Sequence, residues 1–355
     1  MTSLADALRR FLIVPQSTTW LTVLRVGLGL QVLFYAISLR TDWIGLLSQE
    51  NQGLIRRDLT EAMLSAQSPL IPRIGWIVDA GARLHLSENT VLWLLWGAII
   101  LASLLLVLGM FCRAASVVAW ILYVCTAKSA ELLSYGVDNF TIIGLFYLVI
   151  APLPDAWSID ARLRGQDLRT ASLQGLHRRV LQLHLCIIYF FCGFAKCAGR
   201  DWWNGTSLWR SLNRAPSDII PPDLLIRLGF LLPVVGILVC VMEITYPVFI
   251  WPRKTRLIWF LGVLVLHAGI GLTMGMYLFA WIMIVLNMAA FGPNFAFEVP
   301  KFSFIGRDFR VTANNALLRS RFDFLHYFGA MEATICSKRG SPRNSSQKGW
   351  RRRSP

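Results

Sequence analysis

From Thr18 onward the chain alternates long apolar runs with short polar breaks, and most of the runs are long enough to cross a bilayer. A helix needs roughly 20 apolar residues to traverse the hydrocarbon layer. Eight runs are read as spans: Thr18–Ser38, Val91–Phe111, Ala115–Leu133, Phe140–Ala151, Val180–Ala198, Leu228–Trp251, Leu257–Met276 and Tyr277–Phe291. The fourth is short and ends at Pro152 and Pro154, which predicts partial burial among neighbours. The segment Leu39 to Thr90 is too charged to span. Within it, Leu59–Leu64 and Ile74–Ala82 predict short amphipathic helices lying on the surface or packed over the bundle. Ser87 followed by Glu88 predicts a capped start to the second span, with the carboxylate placed well against the helix dipole. The pattern is all-α, a polytopic membrane helix bundle of about eight spans with a polar first loop.

Composition agrees with this class. Of 355 residues, 55% are hydrophobic and 14 are tryptophan, and the mean hydropathy is +0.53. The net charge of +15 raises nucleic acid as a partner, but the basic residues sit in the loops and the tail, so the partner expected is the lipid bilayer. Arg9, Arg10, Arg113, Arg162, Arg164, Arg169, Arg178, Arg179, Arg253, Lys254 and Arg256 fall on one side of an eight-span topology. The positive-inside rule then makes both termini cytoplasmic and the first loop extracytoplasmic. Lys196, at the end of the fifth span, faces the outer side. Residues 1–17 form the cytoplasmic N-terminus, 18–293 the membrane domain and 294–355 a basic cytoplasmic tail, with Ser337 to Pro355 expected to be disordered. Arg9 to Pro15 lacks the apolar core of a cleaved signal peptide, so the first span is read as its own insertion signal. The cysteines show neither CxxC nor zinc spacing, and no metal is predicted.

Charged groups inside spans cost roughly 2.5 to 3.5 kcal/mol each on insertion scales, so each needs a reason. Counted along their helices, Arg25, His184 and Glu243 lie at similar depth near the cytoplasmic side. Glu243 is therefore expected to pair with Arg25 or His184 as a structural staple. Lys196 stands apart, with Gly193 one turn earlier and the tryptophan-rich loop from Gly199 to Trp209 after it. A snorkelling lysine and a functional one are both consistent with that position. Trp202, Trp203 and Trp209 are read first as an interfacial aromatic belt.

Tyr189, Phe190, Gly193 and Lys196, in the pattern Y-F-x-x-G-x-x-K, are followed by Trp202 and Gly205 as W-x-x-G. With a weaker likeness at Tyr135 to Leu145 and at His267, Gly275, Phe279 and Trp281, this resembles the vitamin K-dependent γ-carboxylase-like family, also called the horizontally transferred transmembrane (HTTM) domain. The resemblance covers most of Thr18 to Pro293. It implies that Lys196 is a catalytic base, that His267 and Asp138 line the same site, and that the cofactor is a lipid quinol of the vitamin K kind. The implied activity couples quinol oxygenation to carboxylation or another proton abstraction, with a secreted polypeptide as substrate. Burial makes an amine lose its proton more readily, which suits a base. Such a Lys196 would be enclosed in a cavity toward the outer half, without a tight carboxylate partner.

Two departures restrict the resemblance. The large lumenal domain that follows the bundle in the carboxylases has no counterpart here, and their Asn-His pair is replaced by Tyr135-Gly136-Val137-Asp138-Asn139. A non-enzymatic membrane helper for export, maturation or immunity of a secreted polypeptide is the alternative. A transporter is less favoured, because the chain shows no internal repeat.

Overall fold

Each apolar run becomes a helix whose ends fall where the chain changes chemistry. The computed structural model describes residues 4–14, 16–49, 57–164, 171–214 and 219–292, and among them the regular structure is entirely helical. Eight helices of 15 residues or more form the bundle: α2 (Thr19–Ser38), α6 (Glu88–Leu108), α7 (Cys112–Ser129), α8 (Gly136–Ile150), α10 (Ala171–Ala198), α14 (Leu232–Phe249), α15 (Arg253–Met274) and α16 (Tyr277–Phe291). Short helices connect or cover them: α1 (Leu4–Leu12), α3 (Trp43–Leu47), α4 (Arg57–Gln67), α5 (Ile74–Ala82), α9 (Ile159–Arg164), α11 (Arg200–Trp203), α12 (Thr206–Leu212) and α13 (Pro222–Arg227).

Five helices, α2, α6, α10, α14 and α15, are long and apolar enough to cross a membrane, while α8 and α16 are shorter and apolar. The fully buried side chains of α2 and α16, such as Leu21, Leu24, Leu28, Ile282 and Ala289, form the centre of the core, with α6, α8 and α10 packed around them. Large apolar side chains including Phe191, Phe194, Leu238, Val265 and Leu272 point outward and are exposed. In water such a surface would aggregate, whereas against lipid it is the expected exterior. The chain is an integral membrane protein.

Local signals account for the helix ends. Ser87 accepts a hydrogen bond from the Thr90 amide at 3.3 Å, capping α6 as expected. Glu88 in its first turn pairs with Arg57 of α4 at 2.8 Å, which ties the first loop to the bundle. At the other end of α6 the chain reverses at Gly109 with φ +74°, and a Cβ there would lie 2.6 Å from Ser158 Cα, so both conformation and space require glycine. Other boundaries differ from the sequence reading. Helix α8 opens at Gly136 and takes in Asp138 and Asn139, because Asp138 caps its own first turn: its Oδ2 accepts from the Tyr135 amide at 3.1 Å. Helix α10 begins at Ala171, nine residues before the run read as a span, so part of the expected basic loop is helical. The first turns of α10 stay helical because their arginines find partners at the helix ends nearby. Arg178 donates to the Ala290 and Gly292 carbonyls and Arg179 to the Phe11 carbonyl. The tail from residue 293, with its expected disorder, lies outside the described residues.

The expected pairing of Glu243 with Arg25 or His184 does not occur. Arg25 points into the bundle, but its partner is Asp155, with Nε 2.5 Å from Oδ2 and both side chains at most 1% exposed. Thr22 donates to the same carboxylate at 2.5 Å and the Trp157 amide at 3.1 Å. Arg25 Nη1 donates to the Leu106 and Val107 carbonyls at the end of α6. His184 instead meets the Tyr147 hydroxyl at 2.9 Å. Glu243 lies instead at the level of Lys196, so the depth assigned to it from its helix end was wrong, and the turn after Pro154 brings Asp155 to Arg25.

Candidate functional site

Helices α10 and α14 run antiparallel in close contact, and their shared face carries a further ion pair. Gly193 makes the contact: a Cβ built on it would sit 2.5 Å from the Ile244 amide nitrogen and 2.9 Å from Glu243 Cβ. One turn later Lys196 Nζ meets Glu243 Oε2. The carboxylate is 7% exposed and the lysine 23%. The ammonium also lies over the Trp202 ring, 5.2 Å from its centroid, in a cation–π arrangement. Trp202 is therefore more than a member of an interfacial belt, since its face closes one side of the lysine. Trp203, by contrast, is exposed and donates to the Cys197 carbonyl at 2.8 Å.

A chain of buried hydrogen bonds adjoins this pair. Tyr189, seven residues before Lys196 and on the same face of α10, has its hydroxyl 2.8 Å from His267 Nε2 on α15. The same hydroxyl accepts from Asn287 Nδ2 of α16 at 2.8 Å, and Asn287 Oδ1 accepts from the Tyr246 hydroxyl of α14 at 2.8 Å. The Tyr189 oxygen has lone pairs for both neighbours, so the direction of its bond to His267 follows the histidine tautomer. The Nδ1 of His267 is buried with no hydrogen-bond partner among the described residues. His267 is 4% exposed, and an orphaned buried polar atom of this kind costs about 1 to 3 kcal/mol.

The three residues singled out by the sequence thus divide. Lys196 lies about two turns beyond Tyr189 on α10, and it is Tyr189 that His267 of α15 meets. Asp138 is occupied elsewhere, accepting from the Tyr123 hydroxyl at 2.9 Å while it caps α8. Only an aromatic layer links it to the site: Phe140 packs on Phe279, and Phe279 stands edge-on to His267 with centroids 5.8 Å apart. Burial, and after it the Asp138 charge, pushes the Tyr135 phenol up. The expected absence of a tight carboxylate beside Lys196 is overturned by Glu243. A helix-depth count missed this because α14 begins at Leu232, beyond the level at which α10 ends, so the end of one helix meets the interior of the other. Tyr189, Glu243, Tyr246 and Asn287 had no site role in the sequence reading. The available signals were the three-residue spacing of Glu243 and Tyr246, which puts both on one face, and the lone asparagine in the apolar α16.

A cleft of about 480 Å³ lies at the opposite end of the bundle, at the turn between α6 and α7, lined by Phe111, Arg113, Leu153 and Asp160 among others. Asp160 accepts from the Phe111 and Cys112 amides there and caps α7, which is a structural duty. No group of three metal-ligating side chains occurs among the described residues.

A family model described as HTTM domain matches residues 82–295, more than half of the chain, from the end of α5 through α16. No curated protein and no solved structure matches the chain.

Proposed function

The chain belongs to the HTTM domain family, and from that premise we propose that it is a multi-pass membrane enzyme in which Lys196 removes a proton from a lipid-borne quinol of the vitamin K kind. The observation that carries the reading is the Lys196–Glu243 pair, set in the membrane beside the Tyr189–His267 bond and three-quarters enclosed. Two opposite charges lose several kcal/mol of solvation each when buried, so passing one proton from the ammonium to the carboxylate removes both charges and leaves a hydrogen-bonded neutral pair. In that state Glu243 holds the proton and Lys196 presents a lone pair, which is what a base needs. Glu243 is thus the acceptor that frees the amine.

The side chains suit a quinol ring: the Trp202 and Phe279 faces would stack on it, and the unpartnered Nδ1 of His267 would hydrogen-bond a ring hydroxyl. When bound, such a quinol supplies an oxygenation that generates a strong base, usable for carboxylation or another proton abstraction on a secreted polypeptide. The proposal includes eight spans with both termini cytoplasmic and a first loop outside, which puts Lys196 toward the outer face. Asp138 acts through the α8 cap and the Phe140–Phe279 layer rather than on substrate.

The second reading, a non-enzymatic helper for export, maturation or immunity of a polypeptide, is favoured by the same ion pair if both groups stay charged and simply join α10 to α14. Mass spectrometry of lipid quinols incubated with purified protein and oxygen separates the two. Epoxide formed by the parent and lost in Lys196→Arg, with expression intact, supports the base, since guanidinium keeps the charge but not the basicity. A fully active Arg variant removes Lys196 from catalysis, and a parent inert toward a panel of quinols puts the helper first.

A further inference from the structure

The register of α10 against α14 places two cysteines opposite each other. Gly193 abuts Glu243 and Ile244, Lys196 reaches Glu243, Trp202 abuts Gly236, and Gly205 abuts Leu232 and Pro233. Each advance along one strand of this contact is matched by a retreat along the other, so position 197 falls across from position 240. Both are cysteine and both are free thiols, Cys197 one turn after Gly193 and Cys240 one turn before Ile244, the pair of positions in direct contact. The approach of the two helices at Gly193 is unusually close. Helix axes normally lie roughly 8–10 Å apart, whereas a disulfide needs Cα atoms within roughly 4.4–6.8 Å. Gly193, Gly205 and Gly236 remove the side chains that would hold the two backbones apart, and their substitution by alanine would place Cβ atoms inside the facing backbone. Neither thiol has a role in the hydrogen-bond chain around His267.

We propose that Cys197 and Cys240 are a reversible dithiol–disulfide pair whose closed form clamps α10 to α14 beside Lys196 and Glu243. Cys240 is fully buried and Cys197 partly exposed, so Cys197 is the thiol that an outside reagent meets first. A small-molecule disulfide is the oxidant: the Cys197 thiolate attacks one of its sulfurs and expels a thiolate, and the Cys240 thiolate then displaces the second. One S–S bond breaks and one forms. The two protein thiols are oxidised, the reagent is reduced to two thiols, and the two cysteine protons leave with them. The inference does not depend on what Lys196 does.

Full-length protein in its membrane is treated with oxidised glutathione, blocked with N-ethylmaleimide, digested without reduction and analysed by mass spectrometry. The expected product is a linked pair of peptides containing Cys197 and Cys240, abolished by dithiothreitol and by Cys197→Ser, and retained in Cys192→Ser. Maleimide or glutathione on both cysteines without a link, or a link through Cys192, would overturn the proposal. The oxidised parent should also melt at a higher temperature than the reduced one, with no such gap in Cys197→Ser. Should that variant not fold, Cys240→Ala provides the same comparison, and a gap persisting in either variant would sink the clamp.

Discussion

Two ion pairs of the bundle, Arg25–Asp155 and Lys196–Glu243, lie toward opposite ends and are built differently. At the α6–α7 end Arg25 is saturated: Nε and Nη2 grip Asp155 and Nη1 caps the carbonyls that end α6, while Thr22 and the Trp157 amide fill the rest of the carboxylate. A planar guanidinium with five fixed donors suits such a site, and it cannot give up its proton. At the other end Lys196 donates to one oxygen of Glu243 and rests on an aromatic face, with part of the side chain still exposed. A charge with every bond filled joins helices. A charge with one carboxylate partner, a proton it can lose and part of its side chain exposed can do chemistry, which is why the two pairs call for different readings.

The sharpest test of this contrast removes each cation in turn. Arg25→Ala strands Asp155 among apolar neighbours, a loss of about 3 to 5 kcal/mol for a broken buried pair, and should abolish folded protein in detergent extracts. Lys196→Ala should leave yield and melting almost unchanged, because Glu243 can take up a proton and become neutral. Equal damage from the two would erase the distinction between staple and site.

A smaller effect is expected at the helix contact that creates the Lys196 pair. Gly193→Ala drives a methyl against the Ile244 amide and should cost about 1 to 3 kcal/mol, read as a lower melting temperature, whereas Gly97→Ala, which faces open space, should not. An unshifted melt for Gly193→Ala would mean that α10 and α14 stand further apart than described.

Next comes the hydrogen-bond chain. Tyr189→Phe leaves the Asn287 amide and His267 Nε2 facing a ring edge and should cost about 1 to 3 kcal/mol, measured by melting, while Tyr147→Phe, which loses a bond to the half-buried His184, should cost less. The smallest expected change is Asp138→Asn. It keeps an acceptor at the α8 cap, so a loss under about 1 kcal/mol with quinol turnover retained is predicted. Turnover abolished by Asp138→Asn would return that residue to the reacting centre.

The sequence by itself determined the class, the helix positions and the lysine. Apolar runs bounded by Ser87, Pro152 and Pro252 could become little else, since only hydrogen-bonded helices or closed barrels survive in lipid. Tyr277–Phe291 and Ile74–Ala82 fall where the pattern places them. Lys196 stood out because an ammonium in an apolar run is costly wherever the chain goes. What only the tertiary structure decided is which groups meet. Arg25 finds Asp155 across 130 positions, Lys196 finds Glu243 across 47, and Tyr189 joins His267 and Asn287 from two further helices. Hydropathy reports which residues lie within a span, because that follows from one segment alone. Partnership depends on the rotation and stagger of two helices, and those are set where Gly193 and Gly236 let the backbones touch, by contacts that no single segment contains.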